Sequence, residues 1–408
     1  MSAAKLKPLP AASAFLAYGR QVIEEDDIAA VAEVLRGDYL TTGPAVARFE
    51  KALAECVGVR HAVVCANGTA ALHMAARALD LGPGTKIVVP AITFLATASA
   101  PHLNGAEIVF ADVDPNTGLM TPETLSNAVA RAGGAHAVFN VHLNGQCGTL
   151  EEIAAVARIN KLKIVDDACH ALGASYVGAK GASRIGGNAL CDMSVFSFHP
   201  VKAIAMGEGG AVTTNDPQMA RRLMRARNHG MTRDAEDFTM PDRAFDADGG
   251  ANPWYYELVE PQFNWRANDI QCALGLSQLG KLDRFLARRR AIVAAYDALL
   301  EPYAPIVKPL ARMRQCLPAW HLYVARIDFK AAGITRGALM RALAADGIGT
   351  QVHYVPLHRQ PYFAQRFPAT LPGADLYYAK ALSLPLSAAM DVTDAERVVA
   401  ALVRHLAL

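Results

Sequence analysis

Up to about residue 262, short apolar runs rich in Val, Ile and Phe alternate with longer segments whose apolar residues recur at helical spacing. Residues 26–36, DDIAAVAEVLR, predict an amphipathic helix; Gly43 and Pro44 in DYLTTGP break it, and AVARFEKALAECVG resumes the helical pattern. A β-branched run from Ala62 to Cys65 ends at Asn67-Gly68-Thr69, and an alanine- and leucine-rich helix follows. The alternation then repeats. KIVVP, EIVFADVD, AHAVFNVHLNGQ, KIVDDACHALGA and CDMSVFSFH predict strands, with helices over ITFLATASAPHLNG, TPETLSNAVARAG and LEEIAAVARINKL between them. Thr121, with Glu123 close behind, caps the second of these helices. Strands alternating with helices imply a mostly parallel sheet covered on both faces.

Beyond 262 the pattern changes. RANDIQCALGLSQLGKLDRFLARRRAIVAAYDALL predicts one long helix or two, followed by strands over WHLYVARID and IGTQVHYVP and helices over TRGALMRALAADG and DVTDAERVVAALVRHLA. The expected organisation is a flexible lead-in at 1–17, a large α/β domain at 18–262 and a smaller α+β domain at 263–408, with an exposed loop over 233–252. With 52% hydrophobic and 19% charged residues in 408, the chain can bury a sizeable core. A net charge of +2 gives no reason to expect nucleic acid or an anionic membrane as partner, and no apolar run is long enough to span a bilayer. Seven widely spaced cysteines without a C-x-x-C pair argue against a disulfide framework or a zinc site and fit free thiols in a reducing cytoplasm.

Candidate chemistry centres on FSFHPVKAIAMGEGG, where Lys202 stands among apolar residues. Burial disfavours the charged amine, and a neutral amine is a nucleophile that forms a Schiff base with a carbonyl. Taken alone, such a lysine more often snorkels to solvent or pairs with a carboxylate such as Glu208. Pyridoxal phosphate (PLP) would need more: an acid for its ring nitrogen and a cradle for its phosphate. Asp166 and Asp167 end an apolar strand, where neighbours face opposite ways, so one of the two points into a site. Gly68 and Thr69 open a helix N-terminus, a natural phosphate site, and Ser197 adds a hydroxyl.

In this order these motifs, with LTTGP, NGTAALHMA, ITFLATA, DDACHALGA, RNHG, FNWRANDIQCALGLSQL and WHLY, resemble the DegT/DnrJ/EryC1/StrS family of PLP-dependent sugar aminotransferases from about Tyr18 to the C-terminus. The resemblance implies an aspartate aminotransferase-like α/β fold (PLP fold type I): a large domain with a mostly parallel mixed sheet between helices, plus a smaller C-terminal α+β domain. It implies that Lys202 forms the Schiff base, an internal aldimine, and then shuttles protons, with pyridoxamine phosphate as intermediate. Asp167 would bind the ring nitrogen, His170 would stand near the ring hydroxyl and Phe94 would stack on the ring. Gly68, Thr69 and Ser197 would hold the phosphate, and Asn264 would reach the cofactor of a second subunit in a cytoplasmic homodimer with shared active sites. A dehydratase branch has histidine in place of this lysine, so Lys202 argues against it.

NPWYYELVE, HLNGQ and GIGTQVHYVPLHRQPYF are similar to transaminases that use glutamate to make UDP-4-amino-4,6-dideoxy-N-acetyl-β-L-altrosamine towards pseudaminic acid. That resemblance implies a nucleotide-sugar site lined by Tyr18, Tyr39, Leu40, Thr41, Thr42, His353, Tyr354, His358, Gln360 and Tyr362, with no metal. Other nucleotide-linked keto-sugars (UDP-4-keto-arabinose, a dTDP-keto-deoxysugar) stay open, as does a PLP-binding protein without turnover. A nicotinamide dehydrogenase fits poorly, because VGAKGASRIGG lacks the G-x-G-x-x-G spacing after a first strand. Two departures stand out. Ala205 and Met206 replace threonines usual in the family, so altered sugar or phosphate contacts are expected there. Cys169 replaces the usual alanine and reads as a buried structural cysteine or a thiol near the ring.

Overall fold

Nine strands precede residue 215 in the computed structural model, which describes residues 15–408. They are β1 (His61–Cys65), β2 (Lys86–Pro90), β3 (Glu107–Ala111), β4 (Ala137–Val141), β5 (Lys163–Asp167), the hairpin β6 (Ser175–Gly178) and β7 (Gly181–Arg184), β8 (Met193–Ser197) and β9 (Gly210–Thr214). Seven of them form one sheet in the order β1-β9-β8-β5-β4-β2-β3. Only β9 runs against the rest. Every residue of β4 and of β9 is buried, because helices cover both faces and no alternation is needed. The sheet therefore matches the mostly parallel mixed sheet expected from the sequence. β9 carries little strand signal of its own, since GEGGAV reads as a loop.

The turn after β1 is held from two sides. Asn67 caps the helix Gly68–Ala78 by accepting the Ala70 N–H at 2.8 Å. The start of β9 presses on the same turn: a Cβ on Gly210 would lie 2.3 Å from the Asn67 carbonyl oxygen and 2.8 Å from the Gly68 nitrogen. The helix Pro122–Arg131 does begin at Thr121, but Thr124 rather than Glu123 closes its capping box.

Two-residue strands β10 (Met231–Thr232) and β11 (Glu257–Leu258) flank the stretch 233–252, which is mostly exposed but holds two short helical turns, at Ala235–Asp237 and Pro241–Ala244. The long helical pattern is two helices, Asp269–Leu279 and Leu282–Leu300. Beyond them β12 (Val307–Pro309), β14 (Tyr323–Ile327) and β15 (Ala381–Leu384) form an antiparallel sheet, while β13 (Cys316–Leu317) pairs back onto β6. Helices Arg336–Ala345 and Val392–Leu406 complete this part. Leu310, Leu322 and Val324 nevertheless pack into the same core as Val89 and Phe139 of the large sheet.

The strand expected over IGTQVHYVP does not form. Gln351 exchanges one pair of backbone hydrogen bonds with Ser383 of β15, and then the chain turns away. Pro356 has no N–H to extend the ladder. The lead-in expected at 1–17 lies mostly outside the described residues; Leu16 is already bridged to Ile348.

The contact between β9 and the Asn67 turn is backbone on backbone, so neither side has a side chain that could move aside. Gly210→Ala is expected to lose roughly 1–3 kcal/mol of unfolding free energy through overpacking. The check is a lower denaturant midpoint at unchanged slope; a midpoint equal to the parent's would show that the turn has room to retreat.

Candidate active site

The carboxyl ends of β5 and β8 and the helix start after β1 open onto one cavity of about 640 Å³. Ligands of open α/β sheets bind at this edge, outside the carboxyl ends of the strands. Its walls include Gly68, Thr69, Phe94, Asp167, His170, Ser197 and Lys202, together with Tyr18, His353, Tyr354 and Gln360. Eleven of the residues singled out from the sequence are thus brought together from stretches far apart in the chain.

The two neighbouring aspartates face opposite ways, as strand geometry demands. Asp166 turns away from the cavity and pairs with buried His142 at 3.2 Å, and Asn140 Nδ2 donates to it at 3.2 Å. Burial opposes charge on both members, but their mutual attraction wins: Asp166 titrates below the usual carboxylate range and His142 above the usual imidazole range. Asp167 faces the cavity. Its carboxylate accepts the Thr97 hydroxyl at 2.6 Å and the Cys169 N–H at 3.2 Å, which fixes its orientation. Thr97, in the helix Ala96–Leu103, is itself held by Thr93 in the bend before that helix, at 2.7 Å.

Burial lowers the pKa of the Lys202 amine; the facing Cys169 and Asp167 pull the other way without cancelling it. The lysine closes a tight turn, its N–H donating to the His199 carbonyl at 2.8 Å. His170 Nδ1 accepts the Asn144 N–H at 3.2 Å, so a neutral ring carries its proton on Nε2, which stands 3.2 Å from Tyr354 Oη. Burial, then the charge of Lys202, hold His170 well below the usual imidazole range. His353, hydrogen-bonded to Ser383 Oγ at 2.8 Å, is pulled down to about 3 by the same two causes in the same order. Burial pushes the Tyr354 phenol well up. Cys169, also in the cavity wall, is likewise pushed well above the usual thiol range by burial and then by Asp167, which favours its protonated form.

Other expected residues are not in this cavity. Tyr39, Leu40, Thr41 and Thr42 lie exposed beside the helix Pro44–Val57, and Thr42 edges a separate arginine-rich depression. Asn264 is exposed and bridged to Asn228. His358 is buried against Asp375 at 3.3 Å, and Tyr362 bonds His102 at 2.9 Å. Ala205 and Met206 are buried and do not line the cavity, which corrects the expectation of altered ligand contacts there. Met206 instead fills space left open by two glycines: a Cβ on Gly275 or on Gly209 would meet its sulfur at 2.8 Å.

Sequence reasoning missed His321, Thr97 and Asn144. His321 lines the cavity with its ring 4.2 Å from that of His170. The signals were faint: a threonine pair four residues apart in ITFLATA, and a histidine between Trp320 and Leu322 in WHLY. Among the described residues no group of histidine, cysteine and carboxylate side chains could hold a metal ion.

Three buried neutral histidines in one wall make the fold acid-sensitive. A histidine whose folded pKa lies below its unfolded value binds a proton more readily when unfolded, so stability falls as pH drops from about 6.5 towards 3. For the protein free of cofactor, His353 alone is expected to remove on the order of 2 kcal/mol between pH 7 and pH 5. Thermal unfolding across this range checks it, and a flatter profile in His353→Gln would assign the effect.

Residues 21–403 match the DegT/DnrJ/EryC1/StrS aminotransferase family. The spore coat polysaccharide biosynthesis protein SpsC of Bacillus subtilis (strain 168) is 36% identical over 391 residues, covering 95% of this chain and 96% of that protein. Among solved structures, Helicobacter pylori PseC, an aminotransferase involved in the biosynthesis of pseudoaminic acid, superposes with a TM-score of 0.86 at 28% identity, covering 96% of this chain and 99% of that one. Spr1654 of Streptococcus pneumoniae in its PLP form superposes with a TM-score of 0.83 at 26% identity, covering 96% and 99%. With the match running nearly end to end, the chain belongs to the DegT/DnrJ/EryC1/StrS family of PLP-dependent aminotransferases.

Proposed function

We propose that this chain transfers an amino group from glutamate to a UDP-linked 4-keto-6-deoxy sugar, forming UDP-4-amino-4,6-dideoxy-N-acetyl-β-L-altrosamine towards pseudaminic acid. The observation that carries the chemistry is the convergence of Lys202, Asp167 and the Gly68–Thr69 helix start on one cavity. The likeness to PseC supports the choice of sugar.

The cavity fits the cofactor. Asn67 occupies the amides of Ala70 and Ala71, while those of Gly68 and Thr69 have no protein acceptor among the described residues. Two free amides at a helix N-terminus favour a phosphate. A Cβ on Gly68 would crowd Ser197 Cβ at 3.0 Å, so glycine keeps the space between turn and hydroxyl open. PLP, when bound, supplies an aldehyde carbon open to a neutral amine and a protonated ring that withdraws electrons from that carbon.

This chain's residues do the rest. Asp167 would keep the ring nitrogen protonated, with Thr97 and the Cys169 amide holding its carboxylate in orientation. Phe94 would offer a ring face, and His170, fixed by Asn144 and Tyr354, would serve the ring hydroxyl. The Lys202 amine, kept low in pKa by burial, would serve as the nucleophile toward the cofactor's aldehyde and as the base that carries a proton. Sugar contacts from the same chain fall to Tyr18, His353, Tyr354 and Gln360. His358 and Tyr362 are engaged with Asp375 and His102 and take no direct part. Tyr39 to Thr42 and Asn264 act on the site of a second copy, in a homodimer. Exposed Tyr39, Trp254 and Phe263 give that contact an apolar surface. All seven cysteines are free, as suits a cytoplasmic enzyme, and no described helix is long and apolar enough to cross a membrane.

A second reading rests on the higher identity to SpsC, which points to another keto-sugar destined for a polysaccharide. Incubation with glutamate and a panel of UDP- and dTDP-linked keto-sugars, followed by mass detection, separates the two. An amino sugar formed only from the dTDP series would sink the altrosamine assignment. A visible band that no amino donor bleaches would leave a binder without turnover.

Lys202→Ala is expected to bind PLP without a covalent link and to lose at least about 10²-fold in turnover. Measurable steady-state transamination near the parent rate would refute its role. Asn264→Ala should weaken PLP retention roughly tenfold in the dimer; unchanged affinity by cofactor titration would remove Asn264 from the phosphate site.

A further inference from the structure

The helix Leu282–Leu300 buries an arginine that none of the proposed chemistry uses. Arg289 is 2% exposed and has no carboxylate partner among the described residues. The sequence before Phe15 contains no Asp or Glu to supply one. Burial alone pulls its pKa down to about 10. A buried charge without a counter-ion is among the most costly groups a core can hold, and an apolar side chain would pack the same space at lower cost.

The guanidinium spends its donors on carbonyl oxygens instead. One terminal nitrogen donates to Leu386 at 3.1 Å, His321 at 3.2 Å and Trp320 at 3.4 Å; the other donates to Lys202 at 3.5 Å. Nε has no partner. The acceptors come from three separate stretches: the loop between β8 and β9, the approach to β14 and the exit from β15. Two of them, Lys202 and His321, are themselves cavity residues. The His321 ring lies against His170, and its Nδ1 is buried without a partner. One rigid planar fork therefore ties the backbone of the amine to the backbone of the histidine wall it faces.

We propose that Arg289 is a positioning residue, whose guanidinium fastens the main chain of Lys202 to that of His321 and so fixes where the Lys202 amine stands in the cavity. The inference rests on Lys202 being the amine that takes the cofactor. Its charge has a second effect. Behind burial, His170 and Lys202, it adds to what keeps His321 unprotonated. Without the fork the 202 loop would loosen, water would reach the amine, and the amine would titrate closer to an ordinary lysine.

The test compares the parent, Arg289→Met and Arg289→Lys as apoproteins given PLP. The rate of covalent attachment is followed against pH, the adduct is trapped with borohydride and mapped, and thermal unfolding, kcat and KM are measured alongside. The parent should be labelled at Lys202. Arg289→Met should keep the label but move the attachment profile to higher pH by about half a unit or more. Its kcat should fall about tenfold or more, with KM changed much less. Arg289→Lys, which keeps a charge but not the fork, should lie between the two. Variants with the parent's pH profile and kcat overturn the proposal, whatever their melting temperature, because a purely structural arginine would lower stability alone. If Arg289→Met does not fold, Arg289→Lys decides by the same two readouts. A parent labelled at another lysine would remove the Lys202 assignment itself, and this inference with it.

Discussion

An amine surrounded by apolar and neutral groups must either lose its proton or find an anion, and Lys202 is placed between those outcomes. Burial pushes its proton off, while Asp167 and Cys169 favour keeping it, and burial is the larger effect. Asp167 is itself satisfied by Thr97 and the Cys169 amide, so it need not recruit the lysine as an ion-pair partner. The rest of the wall answers to the same balance. His170 and His353 lose basicity partly because Lys202 is near, and each stays neutral at the pH where the amine is useful. Burial is the first cause throughout: it lowers the histidines and raises the Tyr354 phenol and the Cys169 thiol, so this wall stays neutral in both senses.

The parts of the cavity were legible in the sequence where they depend on local geometry. An apolar lysine loop, a strand ending in two aspartates and a Gly-Thr helix start each have a near-neighbour signature, and period-two alternation required one aspartate to face away. Which one did so was settled by His142, twenty-four residues upstream, through a buried pair that no local pattern reveals. His321 was invisible for the same reason: it enters the cavity from the approach to β14, and only the folded chain sets it on His170. The strand expected at 348–356 forms only isolated bridges, Ile348 to Leu16 and Gln351 to Ser383, before the chain turns away ahead of Pro356. The apolar, alternating look of VHYV reflects a cavity wall, with His353 buried and Val355 exposed, rather than a ladder. Tyr39 to Thr42 show the opposite limit. Their motif was readable, yet a single chain holds them away from its own cavity.

The departures beside the lysine illustrate how a local difference can be absorbed by packing. Methionine in place of threonine adds length and removes a hydroxyl, and the structure accommodates both inside the core. Gly275 and Gly209 leave room for the thioether, and Phe49 and Ile204 share its cluster. Flexible, polarizable methionine fills such irregular space well. Ala205 is buried too, its N–H 3.4 Å from Gln278 Oε1. Neither position presents a side chain to a ligand bound in this chain's cavity.

On the proposed function, discrimination between keto-sugars would fall to groups that do reach the cavity. A keto oxygen accepts hydrogen bonds and cannot donate them, whereas sugar hydroxyls do both, so the informative wall atoms are those with a proton to give. His353 stays neutral, with Nδ1 committed to Ser383, and Tyr354 keeps its phenolic proton while receiving His170 Nε2–H. The phenolic proton of Tyr354 is therefore free to point at a ligand, because His170 already fills the acceptor side of that oxygen. Gln360 adds an amide with both donor and acceptor, and Tyr18 packs its ring 5.5 Å from His353. A site built from fixed neutral donors selects by hydrogen-bond geometry rather than by charge, and a mismatch there leaves a buried donor unpaired. That penalty, roughly 1–3 kcal/mol for each group left without a partner, is large enough to separate sugars that differ by the configuration of a single hydroxyl.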